Sequence, residues 1–192
     1  MKRLLALAVG AVLLVTGCAA DKDAKPGGDT FNFVSPKGKL DNFYDGGDRQ
    51  PIPKLSGEDL MNPGKQLSVA DYAGKVVVIN LWGQWCAPCR HESPEMEKTY
   101  QQTKAAGVQV LGLDVQDRDR SAPQDFMRDR GLTYPSIYDP PGRSLVQLTG
   151  YPRNIIPSTI VVDKKQRVAA VLLRELLASD LVPIVQRIAA ER

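Results

Sequence analysis

Two of the chain's three cysteines stand three positions apart, in Trp82-Gly83-Gln84-Trp85-Cys86-Ala87-Pro88-Cys89. A β-branched run precedes this segment and a helical stretch follows it, so the pair falls at a helix N-terminus. Unpaired backbone N–H groups and the helix dipole there favour a thiolate at Cys86. Residues i and i+3 lie about one turn apart on one helix face, so Cys86 and Cys89 can close a small disulfide ring. Pro88, in the first turn, stiffens that ring without removing a helix hydrogen bond. The pattern fits dithiol–disulfide exchange, with Cys86 as the attacking thiolate and Cys89, deeper in the helix, as the resolving thiol. Half a zinc ribbon would need a second cysteine pair, which the sequence lacks. A purely structural disulfide between these positions would close too short a loop to stabilise much. Neither a metal nor a cofactor is expected.

The elements that must hold this pair can be read from periodicity. Val76-Val77-Val78-Ile79-Asn80-Leu81-Trp82 has the pattern of a strand buried on both faces. The helix is expected over 86–104, with Gly107 marking its end. A second buried strand over 108–115, a helix over 122–130 stopped by Gly131, a short strand over 136–138 and a short helix over 142–148 follow. Strands over 159–162 and 168–173 are joined by Asp163-Lys164-Lys165-Gln166, short enough for an antiparallel hairpin. Asp180 can cap a last helix, with Pro183 in its first turn. Upstream, residues 55–60 and 66–69 around Pro63-Gly64 read as a hairpin. Residues 31–50 (with Phe31, Phe33, Phe43 and Tyr44) read as irregular chain or short strands on the domain's edge. Alternating strands and helices predict an α/β sandwich with a largely parallel sheet. Asp117-Arg118-Asp119-Arg120 reads as a solvated mixed-sign loop, and Asp139-Pro140-Pro141-Gly142 as a turn. Trp82 is expected in the core, with Trp85 and Pro88 on the substrate-facing surface. His91, the sole histidine, lies two residues beyond Cys89 and points off the cysteine face, so it reads as a surface residue.

Composition narrows the function classes. With 43% apolar and 24% charged residues over 192 positions, the chain suits one soluble domain plus appendages. A formal charge of +3 is too small for a nucleic-acid footprint, and removing residues 1–17 would take Lys2 and Arg3 with it. Those two residues precede an apolar segment of 12 residues, Leu4 to Val15. As a helix it would span roughly 18 Å against a bilayer core of about 30 Å, which favours a signal peptide over a permanent span. Val15-Thr16-Gly17-Cys18 resembles a bacterial lipobox, implying diacylglycerol on Cys18 and cleavage before it. The alternative is an ordinary secretory signal in which Cys18 is incidental. Residues 19–30 read as a flexible tether.

Val77 to Trp82, Trp85-Cys86-Ala87-Pro88-Cys89-Arg90-His91-Glu92-Ser93-Pro94 and Ile156-Pro157-Ser158-Thr159 together resemble the thioredoxin superfamily. Within it they are most similar to the membrane-anchored TlpA/ResA-like thiol–disulfide oxidoreductases, and the resemblance spans residues 55–190. It implies an α/β, thioredoxin-like fold: a central mixed sheet flanked by helices, with an N-terminal hairpin and a central insert over 117–150. The chain then divides into a lipoprotein signal peptide (1–17), a lipid-anchored tether with an irregular segment (18–50) and a thioredoxin-like domain (51–192). Sequence statistics do not single out one cis proline among 14. The resemblance does: it implies a cis bond before Pro157, facing the cysteines and presenting the backbone of Ile156 to an extended substrate. It also implies a proton-relay role for Glu92 beside Cys89; a solvated helix charge is the alternative. The implied partners are thiols or disulfides of exported proteins, an integral membrane thiol electron carrier and, through the lipid, the outer face of the bacterial cytoplasmic membrane. The favoured direction is reduction, of apocytochrome c for example, with disulfide formation as the runner-up; Ala87-Pro88 does not decide between them. A peroxiredoxin-type peroxidase would need threonine where Gly83 stands, and a non-catalytic binding module would have no use for both cysteines.

Overall fold

The computed structural model describes residues 30–35 and 38–191. The expected signal peptide over 1–17, Cys18 and most of the tether lie outside the described residues. In chain order the elements are β1 (Asp41–Phe43), β2 (Ser56–Asp59), β3 (Gln66–Ser68), β4 (Val76–Trp82), α1 (Ala87–Thr103), β5 (Val108–Asp114), α2 (Ser121–Asp129), β6 (Ser136–Tyr138), β7 (Ser158–Val162), β8 (Val168–Leu172) and α3 (Ala178–Ala190). They build an eight-stranded sheet in the order β1-β8-β7-β4-β5-β6-β2-β3.

Only β4–β5 and β5–β6 are parallel; every other ladder is antiparallel. The largely parallel sheet expected from periodicity is therefore corrected to a mixed one. The reason is topological: α1 and α2 supply the two helical crossovers, whereas the hairpins β2–β3 and β7–β8 can only pair antiparallel. The thioredoxin-like architecture is present, with the β2–β3 hairpin joined to the insert strand β6. Residues 31–50 pack on the sheet's edge, where β1 pairs with β8 and Phe31 and Phe33 are buried.

Period-2 alternation in β4 divides the core between the two faces of the sheet. Val76, Val78 and Trp82 join Met96 of α1 and Leu181 and Val185 of α3. Val77, Ile79 and Leu81 face the other way, towards Phe31, Leu55 and Tyr151. Each such burial contributes about 1.5–3 kcal/mol, comparable to or above the roughly 1–2 kcal/mol cost of ordering its backbone. Asn80 is the exception in this run and belongs to the α1–α3 face. Gly112 of β5 lets the Trp82 indole cross to Ser136 Oγ, 3.0 Å from Nε1. A Cβ at Gly112 would lie 2.8 Å from Trp82 Nε1.

Three local expectations change. Residues 144–147 form a single 3-10 turn where a short helix was expected. Helix α3 starts at Ala178, so Asp180 is its third residue and caps from inside, accepting from Leu177 N–H at 3.1 Å. Pro183 consequently falls in the second turn. Asp117 is not solvated but 7% exposed, drawn inward by a hydrogen bond described below.

Candidate active site

Strand β4, in the middle of the sheet, ends at Trp82, and α1 begins five residues later at Ala87. Cys86 is the N-cap of α1 and is joined to Cys89 by a disulfide with an S–S length of 2.04 Å. Cys89 N–H points at Cys86 Sγ, 3.2 Å away, so the helix N-terminus is directed at the first sulfur. Cys86 keeps 4% exposure and Cys89 none, which leaves the first sulfur as the one an incoming partner can reach. The Ile156–Pro157 peptide bond is cis, the conformation the resemblance implies, and Ile156 O lies 3.8 Å from Cys86 Sγ.

The approach loop 83–85 is clamped by the end of β5. Gln84 N–H donates to Asp117 Oδ2 at 2.6 Å, and Trp85 Nε1–H to Val115 O at 2.9 Å. Arg90 of α1 closes the loop from behind, donating to Gln84 O at 2.8 Å. Gly83 is required here because a Cβ would sit 2.3 Å from the Trp85 ring nitrogen. Trp85 is held this way with 46% of its surface exposed, next to the cysteine. Pro88 occupies the first turn of α1 and is exposed, while Trp82 is fully buried.

Behind the disulfide, the buried stripe of α1 runs Cys89, Glu92, Ser93, Met96. The period of 3.6 thus carries Glu92 into the interior, and it has no solvent exposure. Its Oε2 accepts from Asn80 Nδ2 and its Oε1 from Leu176 N, both at 2.9 Å. Burial pushes the Glu92 carboxyl up to about 7, opposed by these two hydrogen bonds. Asn80 Oδ1 has no partner. Turning that amide over lets the oxygen accept a hydrogen bond from neutral Glu92, so each protonation state of Glu92 finds a partner in Asn80. The solvated-charge alternative is thereby excluded. His91, one residue earlier, is exposed and pairs with Glu175 on the surface.

Asn80, Asp114 and Asp117 are site residues that sequence reasoning missed. Asp114, opposite Trp82 in the β4–β5 ladder, is fully buried, and neither carboxylate oxygen has a partner. Burial raises its pKa to about 9, helped by Asp117 and Asp139 and opposed by Arg120, which favours the protonated acid at neutral pH. The available signals were a polar residue inside the apolar run 76–82 and an acid ending the buried strand 108–115. Among the described residues, no group of three or more His, Cys, Asp and Glu side chains is arranged to hold a metal ion.

The AhpC/TSA family matches residues 49–171, well over half of the chain. The chain belongs to that family. Among solved structures, this AhpC/TSA-family protein is similar to a secreted thiol-disulfide isomerase from Corynebacterium glutamicum. That match is 46% identical with a TM-score of 0.83, over 85% of this chain and 100% of the other. A DsbF homologue from Corynebacterium diphtheriae is also 46% identical, with a TM-score of 0.77 over 82% of this chain and 99% of that one. The thiol-disulfide oxidoreductase ResA of Bacillus thuringiensis (strain Al Hakam) is 32% identical over 112 residues. The match takes in 58% of this chain and spans 62% of that relative's length. These similarities place the protein with the TlpA/ResA-like oxidoreductases of the thioredoxin superfamily.

Proposed function

We propose that the protein exchanges thiols and disulfides through Cys86 and Cys89 outside the cytoplasm, acting as a reductase of disulfides in exported proteins such as apocytochrome c. The observation that carries this reading is the placement of the pair. Cys86 lies at a helix N-terminus beside cis-Pro157, and Cys89 lies buried one helical turn before Glu92. In the reduced protein the Cys86 thiolate attacks one sulfur of the substrate disulfide, and the other substrate sulfur leaves as a thiolate. Cys89 then attacks Cys86 Sγ, freeing the second substrate thiol and re-forming the Cys86–Cys89 disulfide. Two electrons pass to the substrate, and an integral membrane thiol carrier restores the dithiol.

Glu92, one helical turn beyond Cys89, accepts the Cys89 proton as that attack begins; a pKa of about 7 supports this reading, since it allows a proton to be taken and returned at neutral pH. Ile156 pairs with an extended substrate backbone as a strand would, while Trp85 and Pro88 form the apolar rim against which it lies. Lipid on Cys18 holds the domain at the outer face of the membrane. A peroxide-reducing centre gains no support at position 83, because a threonine there would drive its Cβ into the Trp85 ring.

The direction of exchange is tested by equilibrating the full-length protein with glutathione redox buffers. A potential towards the thioredoxin value of about −270 mV supports a reductase, and one near the about −120 mV of a strong oxidant overturns it in favour of disulfide formation.

A further inference from the structure

The described arginines are almost all occupied: Arg49, Arg120, Arg128, Arg167 and Arg174 by carboxylates, Arg90 by a carbonyl, and Arg130 and Arg187 by aromatic rings. The guanidinium groups of Arg118, Arg143 and Arg153 alone among them have no such partner. Two of the three, Arg118 and Arg153, border one concavity. Arg153 lines a cavity of about 280 Å³ with Gln116, Pro140, Pro141 and Leu145. Arg118 lines a second, of about 460 Å³, that shares Gln116, Pro140 and Pro141 with the first.

No carboxylate lines either part of this cleft. The acids of the same loops are committed elsewhere: buried Asp117 accepts from Gln84 N–H, buried Asp139 from the N–H groups of Arg143 and Ser144, and exposed Asp119 from the N–H and hydroxyl of Ser121. Three wall residues connect elements of the disulfide site to the cleft. Its wall includes Val115, whose carbonyl holds the Trp85 indole, and Arg153 and Asn154, on the segment leading to Ile156 and cis-Pro157. Its floor is fixed by Gln116 N–H donating to Pro140 O at 3.0 Å, with Gln116 at φ 65°.

We propose that this cleft seats the stretch of a substrate protein flanking its reactive cysteine, and that Arg118 and Arg153 select stretches carrying Asp or Glu. The inference rests on the thiol–disulfide exchange reading and adds a substrate class to it. Two guanidinium groups without a carboxylate partner, bordering a concave apolar floor, offer complementarity to carboxylates, steering encounter and fixing register beside Cys86.

The test uses reduced full-length protein and two synthetic peptides. Each has one cysteine held as a mixed disulfide with 2-nitro-5-thiobenzoate, flanked by Asp and Glu in one peptide and by Asn and Gln in the other. Attack by Cys86 on the peptide sulfur releases the coloured thiolate, and Cys89 then frees the peptide thiol. Each rate is divided by that of the same peptide with dithiothreitol, which removes intrinsic reactivity. The acidic peptide is expected to react roughly fivefold faster at low ionic strength, with the ratio shrinking in salt. The combined Arg118→Gln and Arg153→Gln variant brings the ratio towards one, whereas Arg128→Gln, on α2 and paired with Asp125, keeps it. A ratio of one in the unaltered protein, with the neutral peptide still reacting, overturns the subsite and leaves the exchange reading standing. No reaction with either peptide overturns both. Arginine-dependent binding to anionic lipid vesicles with an unchanged peptide ratio assigns the cations to a membrane surface and also overturns the subsite.

Discussion

Glu92→Gln removes a charge from behind the disulfide and keeps the side chain's size. Its carboxyl stands at about 7 in the folded chain, against an ordinary value of 4.5. Below 4.5 folded and unfolded states both hold the proton; between 4.5 and about 7 only the folded state does. Stability is therefore lost as pH rises through that window and is level above it. At about 1.36 kcal/mol per unit, the loss is on the order of 3 kcal/mol. Glutamine mimics the neutral acid: its Nε2 can donate to a turned Asn80 Oδ1 while its Oε1 accepts from Leu176 N–H. Glu92→Gln should therefore match the unaltered protein near pH 4.5 and exceed it by about 3 kcal/mol at pH 8. Urea unfolding of both oxidised proteins at several pH values measures this, and groups that titrate alike in the two cancel in the difference. The exchange rate supplies a second readout: the inflection that Glu92 imposes near pH 7 should vanish in the variant. A stability difference that does not change with pH, together with superimposable rate profiles, refutes the assignment of a titrating buried carboxyl.

Cys18→Ala should move the protein from the membrane to the soluble fraction; continued membrane fractionation contradicts the lipid anchor. Asp114→Asn should flatten the fall in stability between about pH 4 and about 9, since the amide stays neutral throughout. A slope equal to that of the unaltered protein, measured by urea unfolding, counts against a buried neutral acid. Gly83→Ala should displace the Trp85 indole from Val115 O, at a cost of about 1–3 kcal/mol, and slow peptide exchange. An unshifted tryptophan emission spectrum would show that the ring had not moved.

The parts of this site legible in the sequence are those set by local chemistry. The run 76–82, the Cys86–Cys89 spacing and the stop at Gly107 each follow from a periodicity or a φ requirement, and Gly107 indeed has φ 80°. The hairpin expected at 163–166 is present between β7 and β8 for the same reason. What depends on contacts distant in sequence was not legible. Glu92 could have faced water or the sheet until α1 was docked on Asn80 and Leu176, 12 and 84 residues away. Asp117 reads as loop because its partner, Gln84 N–H, lies 33 residues upstream. Pro157 required the family resemblance, since nothing local separates it from the other prolines. Parallel and antiparallel pairing likewise depends on where each hairpin joins the sheet, which strand patterning does not specify.

The central claim is that Cys86 attacks and Cys89 resolves. The direct measurement is intact mass spectrometry of reduced Cys89→Ser and Cys86→Ser proteins mixed with a disulfide-bonded peptide. The account predicts a persistent peptide adduct on Cys86 in Cys89→Ser, and little or no adduct in Cys86→Ser, whose remaining thiol is fully buried. Equal adducts in the two variants, or faster capture by Cys89, would contradict it.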